Sequence, residues 1–225
     1  MAKLQSTLKN MFLSLSIICL TVAVLLAQVN KMTAKPIADA KAMKLQNAIS
    51  EVVPAFDNDP VAEAYRMPVG TGDSLLVYPA KKGDKVVGYA VNSSSNNGFS
   101  GEIQIMIGFD MEDRLINYAV LQHAETPGLG SKMTDWFKNK EKPSQSVIGR
   151  DLSQGALAVS KDGGEVDAIT ASTITSRAFL EAVNRAYQAY SESRENAYSG
   201  ASPKNAAGKS NDEAGEIKKE DNSHE

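Results

Sequence analysis

Two stretches of this chain crowd groups that could do chemistry. The first is DAITASTITS, residues 167–176, where a strand-like run gives way to a helical pattern. Ser172, Thr173 and Thr175 fall in the first turn of that helix. A helix N-terminus presents N–H groups without intrahelical partners and a partial positive charge, so it favours a phosphate. A hydroxyl there can contact a phosphate or become covalently joined to one. Ser and Thr are also the ordinary N-cap residues, and the segment by itself reads first as a capping run; the rest of the chain brings ligand chemistry forward. The second stretch is QHAETPGLGSK, residues 122–132, with His123, Glu125 and Thr126 on a loop that leaves a strand end. Pro127 restricts Thr126 to extended geometry, and Gly128 and Gly130 permit positive φ or the close approach of another group. A shaped loop of this kind is either a connector or a place where a flat ring lies against backbone amides.

Other chemistry is poorly supplied. His123 could be drawn with Glu125 or Asp167 as a catalytic triad, but G-x-S-x-G or a similar nucleophile elbow is absent. The one cysteine, Cys19, lies inside an apolar run, and the only other histidine, His224, sits in a polar tail. The chain alone therefore offers no intramolecular disulfide, no Cys-held iron–sulfur cluster, no C-x-x-C-H haem site and no ordinary zinc site. No metal site and no catalytic residue is assigned. An organic cofactor remains. With 24 Lys and Arg against 27 Asp and Glu, the chain lacks the basic excess of a nucleic-acid surface, so no nucleic-acid partner is expected. The charged turn at Asp110, Glu112, Asp113 and Arg114 reads as solvated.

The elements that must position these groups follow from periodicity. Strands are expected at residues 75–78, 86–92, 101–109 and 115–122. In the third, Ile103, Ile105, Ile107 and Phe109 alternate with Gln104, Met106 and Gly108, the pattern of a half-buried strand. The turn at 110–114 makes the last two an antiparallel hairpin. A helix is expected over 36–52, opened by Pro36, ended by Pro54, with Leu45, Ala48, Ile49 and Val52 on one face. Residues 56–73, broken by Pro60, Pro68 and Gly70, read mostly as loop. A short helix is expected near 132–138, and a second hairpin pairs 156–161 with 165–169 around Asp162-Gly163-Gly164. The last helix spans about 173–193, with Phe179, Val183, Ala186 and Tyr190 as its apolar stripe. From 195 to 225 the composition is too polar to offset ordering entropy, and disorder is expected.

Ahead of all this, Lys9 and Lys31 bracket an uncharged run, residues 10–30, close to the roughly 20 residues a membrane-crossing helix needs. It is long for a signal-peptide core and no clean A-x-A cleavage site follows it, so an uncleaved anchor is expected. Lys3 and Lys9 place the N-terminus inside, although Lys31, Lys35, Lys41 and Lys44 pull the other way. The organisation expected is a cytoplasmic N-terminus (1–9), a transmembrane anchor (10–30), an extracytoplasmic domain (31–194) and a polar tail (195–225). The fold class is α+β: a transmembrane helix, then a mainly antiparallel sheet with packed helices.

Together, the anchor, HAETPGLGSK and DAITASTITS resemble the G subunit of the bacterial Rnf complex; the run GFSGEIQIMIGFD also resembles that branch. The related C subunit of the sodium-pumping NADH:quinone oxidoreductase shares both motifs and is the alternative. The resemblance is dense over residues 98–190, looser before, and does not cover the tail. It implies FMN joined by its phosphate to a threonine hydroxyl, in a motif similar to S-G-A-T-x-T. Laid on residues 170–175, that motif makes Thr175 the acceptor and matches Thr173; Thr170, Ala171 and Ser172 replace Ser, Gly and Ala. Ala in place of Gly demands a backbone conformation that a Cβ tolerates. The candidate cofactor contacts are His123, Glu125, Thr126, Gly128, Leu129, Gly130, Asp167, Ser172 and Thr173. The function so implied is an electron-transfer subunit of a complex in the bacterial inner membrane. That complex would couple electron flow between ferredoxin and NAD to Na+ or H+ transport, with the domain on the periplasmic side. The implied partners are the other membrane subunits and a flavin-attaching transferase, and the isolated chain would not turn over. The competing class is an anchored, non-enzymatic module that holds a phosphate-bearing ligand.

Overall fold

The computed structural model describes residues 7–70 and 72–199. Helix α1, Leu8–Val52, precedes five strands: β1 Tyr65–Val69, β2 Asp73–Lys82, β3 Lys85–Gly98, β4 Gly101–Phe109 and β5 Leu115–Gln122. A one-turn helix α2, Met133–Trp136, and the long α3, Thr173–Ser199, complete the fold. The strands form one antiparallel sheet in chain order, and α1 and α3 cover its opposite faces. The architecture is the expected α+β.

Strand alternation explains the two faces. Ile103, Ile105, Ile107 and Phe109 of β4 join Tyr89 and Val91 of β3 beneath Phe179, Val183, Ala186 and Tyr190 of α3. The expected stripe of α3 is thus the core-facing stripe. On the other face, Met106, Ala90, Tyr78 and Ala80 meet Ala48, Ile49, Val52 and Val53 at the end of α1. β4 is therefore not half-buried: Met106 and Gly108 are covered as well. A Cβ on Gly108 would stand 1.8 Å from the Val52 carbonyl oxygen, so the glycine lets helix backbone rest on sheet backbone.

Four other expectations change. The helix does not begin at Pro36; it runs through it, continuous with the apolar run. Proline removes the N–H that would bond the Met32 carbonyl, a loss softened where the helix surface is exposed, as it is around Pro36. The segment 56–73 contains β1, whose Pro68 is tolerated because β1 is an edge strand. The expected hairpin over 156–169 is only a single parallel bridge, Val159 to Val166, closed by a short 3-10 turn at Ser160–Asp162. The glycines do turn the chain, with Gly163 left-handed, but too tightly for two strands to pair. Last, α3 continues past residue 193 to Ser199. The expected disorder of residues 200–225, and most of the expected segment 1–9, lie outside the described residues.

Candidate functional site

Three segments converge at the N-terminus of α3. The strand β3 ends at Gly98, which pairs in register with Gly101, so Phe99 and Ser100 form the tip of a tight hairpin. After β5 comes the loop that carries His123 to Gly130. The third segment is the turn 169–172 that opens α3.

The loop is shaped mainly by its own hydrogen bonds. The Glu125 N–H donates to His123 Nδ1 at 3.2 Å. Leu129 and Ser131 N–H groups both donate to the Thr126 carbonyl, at 3.1 and 3.3 Å. Gly128, at φ +77°, gives its N–H to Ser131 Oγ at 2.9 Å. These bonds turn the Glu125 side chain inward, where it is 5% exposed.

The helix start is clamped just as closely. Ser172 acts as the cap: its carbonyl accepts the Ser176 N–H at 3.0 Å and the Ser176 hydroxyl at 2.9 Å. Ser176 Oγ in turn accepts the Ile169 N–H at 2.9 Å. The turn between is made by Ala171 at φ +61°, a left-handed conformation that costs an L-residue. The resulting first turn, Thr173 to Thr175, points its N–H groups out of the helix end.

A cavity of about 340 Å³ lies where these segments meet. Glu125, Thr126, Leu129, Gly130, Ser172, Thr173 and Thr175 line it, together with Phe99, Ala171 and Ile174. At its floor the Thr175 hydroxyl donates to Glu125 Oε2 at 2.7 Å, and Glu125 Oε1 accepts the Ser100 N–H at 3.1 Å. At its mouth stand three exposed apolar side chains, Phe99 (67%), Ile174 (49%) and Leu129 (41%). Outside it, Lys161 Nζ donates to the Thr173 hydroxyl at 3.2 Å. Arg177 grips Asp162 with two bonds of 2.7 Å. That guanidinium holds the Asp162 carboxyl below the usual carboxylate range.

Seven of the ten residues singled out in the sequence thus share one cavity. His123, Gly128 and Asp167 do not line it. His123 and Gly128 shape the loop. Asp167 braces another part of the structure: its carboxylate accepts the Ser144 hydroxyl at 2.6 Å and its carbonyl the Trp136 indole N–H at 3.0 Å. Sequence reasoning missed Phe99 and Ile174 as lining residues. The available signals were an aromatic at a hairpin tip, where polar residues are usual, and an isoleucine out of phase with the α3 stripe. A buried hydroxyl, a helix N-terminus and an apolar rim suit a ligand with a phosphate at one end and a flat ring at the other.

Comparison with known proteins agrees in kind. The family model described as FMN-binding domain matches residues 98–188, which take in the hairpin tip, the loop and most of α3. The G subunit of the ion-translocating oxidoreductase complex of Yersinia pestis is 37% identical over 171 residues, covering 72% of this chain and 80% of its own. Its counterpart in Stutzerimonas stutzeri is 35% identical over 182 residues, covering 78% of each chain. That of Escherichia coli K12 is 34% identical over 171 residues, covering 72% of this chain and 81% of its own.

Proposed function

The chain belongs to the family formed by the G subunits of ion-translocating oxidoreductase complexes, and on that premise we propose that it holds FMN covalently at Thr175 as an electron-transfer subunit. The carrying observation is the Thr175 hydroxyl, buried on the cavity floor in the first turn of α3. FMN supplies the redox chemistry when bound; the chain binds and orients it. A phosphodiester on Thr175 lies in the favourable field of α3, beside the N–H groups of residues 173–175. Phe99, Leu129 and Ile174 offer apolar surface to the ring. Thr126 and Gly130 of the loop line the same cavity beside them. Covalent attachment keeps the cofactor from dissociating on the side of the membrane without a flavin pool.

Helix α1 supports an anchored arrangement. It is the one helix among the described residues long and apolar enough to cross a membrane. Its 45 residues reach about 68 Å, well beyond a hydrocarbon core of about 30 Å. Residues 10–30 would span, and residues 31–44 would form a stalk of about 20 Å that ends docked on the sheet. The domain over 31–194 then lies outside the cytoplasm, on the periplasmic side of the inner membrane. Its partners are the other membrane subunits of an Rnf-type complex, which passes electrons between ferredoxin and NAD and moves Na+ or H+. A flavin-attaching transferase loads it.

Peptide mass spectrometry of the protein from its native membrane tests the reading. Expected is an FMN phosphoester on Thr175, absent in Thr175→Ala, partly kept in Thr175→Ser and only weakened in Thr173→Ala. Flavin on Ser172 or Thr173, or no adduct at all, would overturn it.

A further inference from the structure

Of the hydroxyls in the first turn of α3, Thr175 is the one whose proton points at a carboxylate. Its Oγ1 donates to Glu125 Oε2 at 2.7 Å, while the Thr173 oxygen accepts from Lys161. The carboxylate is held from two more directions. Ser100 N–H fixes Oε1 at 3.1 Å. A Cβ on Gly98 would stand 2.7 Å from Oε1. A Cβ on Gly130 would stand 2.4 Å from Oε2 and 2.8 Å from Thr175 Oγ1. Two glycines on separate segments therefore leave room for this pair. Threonine is a poor nucleophile at its free pKa and is activated by an adjacent base within hydrogen-bond reach.

We infer that Glu125 is the base that takes the Thr175 proton when the flavin phosphate is attached, so the chain supplies a catalytic group for its own modification. This rests on Thr175 as the attachment site. A phosphate monoester has no adequate leaving group, so the donor is a flavin dinucleotide, in which the FMN phosphate is joined to a second phosphate as an anhydride. The Thr175 Oγ1–P bond forms and the P–O–P bridge breaks. The second nucleotide leaves as its monophosphate with the bridging electron pair, and the Oγ1 proton passes to Glu125 Oε2. Nothing is oxidised or reduced. The proton then lets Glu125 donate to the new ester oxygen, so the buried side chain is not left as an anion beside the diester. The transferase binds and polarises the anhydride; Glu125 acts from the acceptor side.

The test uses full-length protein in detergent, made without the transferase, then incubated with transferase and flavin adenine dinucleotide. In-gel fluorescence gives the attachment rate, peptide mass spectrometry the position, and thermal melting the fold. Glu125→Gln keeps the shape and an acceptor for Thr175 but cannot take the proton; its rate should fall about 100-fold with melting unchanged. Glu125→Ala should be as slow, and added formate should restore part of its rate. A folded Gln variant modified on Thr175 at the parent rate overturns the base and leaves Thr175 as the acceptor. Should the Gln variant misfold, the Ala variant decides. Formate rescue supports the base, and a slow Ala variant that formate does not rescue assigns Glu125 a purely structural role. Flavin on Ser172 or Thr173 of the parent overturns both readings.

Discussion

The two faces of the sheet are each covered by a helix, but on different terms. On the α1 side the contact is small and apolar, Ala48, Ile49 and Val52 against Ala90 and Met106, with helix backbone pressed onto Gly108. Its polar ties lie at the margin: Lys44 to the Leu121 carbonyl, Asn117 to the Glu51 carbonyl and Lys138 to the Glu51 carboxylate. On the α3 side a larger apolar core carries buried hydroxyls. Ser93 donates to the Ala182 carbonyl at 2.8 Å, Ser95 to Glu181 at 2.7 Å and Thr175 to Glu125 at 2.7 Å. An apolar contact can only hold position. A face with satisfied polar groups can also keep reactive atoms aligned. On the function proposed, the α1 side would fix where the domain sits and the α3 side what it does.

Two glycine substitutions should separate these roles. In Gly108→Ala the new Cβ meets the Val52 carbonyl oxygen at 1.8 Å and its carbon at 2.5 Å, and backbone on both sides must shift. A loss of about 3 kcal/mol is expected in chemical denaturation, with flavin attachment retained by the folded fraction. In Gly130→Ala the new Cβ meets Glu125 Oε2 at 2.4 Å, Thr175 Oγ1 at 2.8 Å and Glu125 Cβ at 2.9 Å; the carboxylate can swing aside and the loop need give only slightly, with no backbone atom among the three. Stability should fall by only about 1 kcal/mol, while attachment drops at least about tenfold as Glu125 and Thr175 are parted. Equal stability losses, or attachment lost only in Gly108→Ala, would break the division of labour.

A smaller effect sharpens the contrast by locating strain on the α3 side alone. Ala171 sits at φ +61° in the turn that sets Ser172 and Thr175. The left-handed conformation costs an L-residue about 1–2 kcal/mol, and glycine gives back about 0.4–1 kcal/mol of unfolded-chain entropy. Ala171→Gly should therefore gain about 0.5 kcal/mol in denaturation and attach flavin at least as fast. A loss of stability would mean that the Ala171 methyl packs in a way its exposure does not suggest.

What could be read in the sequence divides along similar lines. β4 and β5 have their expected bounds because alternation and a charged turn are local signals. Thr175 stands in phase with Phe179 and Val183, so its inward direction was legible from the stripe. β1 and the continuity of α1 were obscured by Pro68 and Pro36. Proline is a local breaker that an edge strand and an exposed helix both accommodate. Phe99 reaches the cavity only through tertiary packing, which sets the β3–β4 hairpin tip beside the loop after β5 and the distant start of α3. Asp167 looked like part of the site because of its neighbours in sequence, yet Ser144 and Trp136 engage it elsewhere.

The smallest effect expected concerns the pair that braces the turn 160–164 against α3. Arg177 donates from Nε and Nη2 to the two Asp162 oxygens, and this hydrogen bonding, aided by the positive charge, lowers the Asp162 carboxyl. A carboxylate whose folded pKa is depressed adds stability above its unfolded pKa, near 4, and loses it as pH falls through the lower folded value. Both side chains are substantially exposed, 51% for Arg177 and 40% for Asp162, so solvent and salt screen the pair. Asp162→Asn should therefore melt slightly below the parent at neutral pH in low salt. The gap should narrow as pH falls below about 4 and as salt is added. Asp151 and Glu63 are also lowered, by hydrogen bonds to Ser153 and Lys81, but both proteins keep them, so the difference isolates Asp162. A gap that survives acid and salt would mean that Asp162 acts through the geometry of its 3-10 turn. A change in attachment rate larger than the change in melting would carry the influence of this outer pair inward, through Lys161 and Thr173, to the cavity itself.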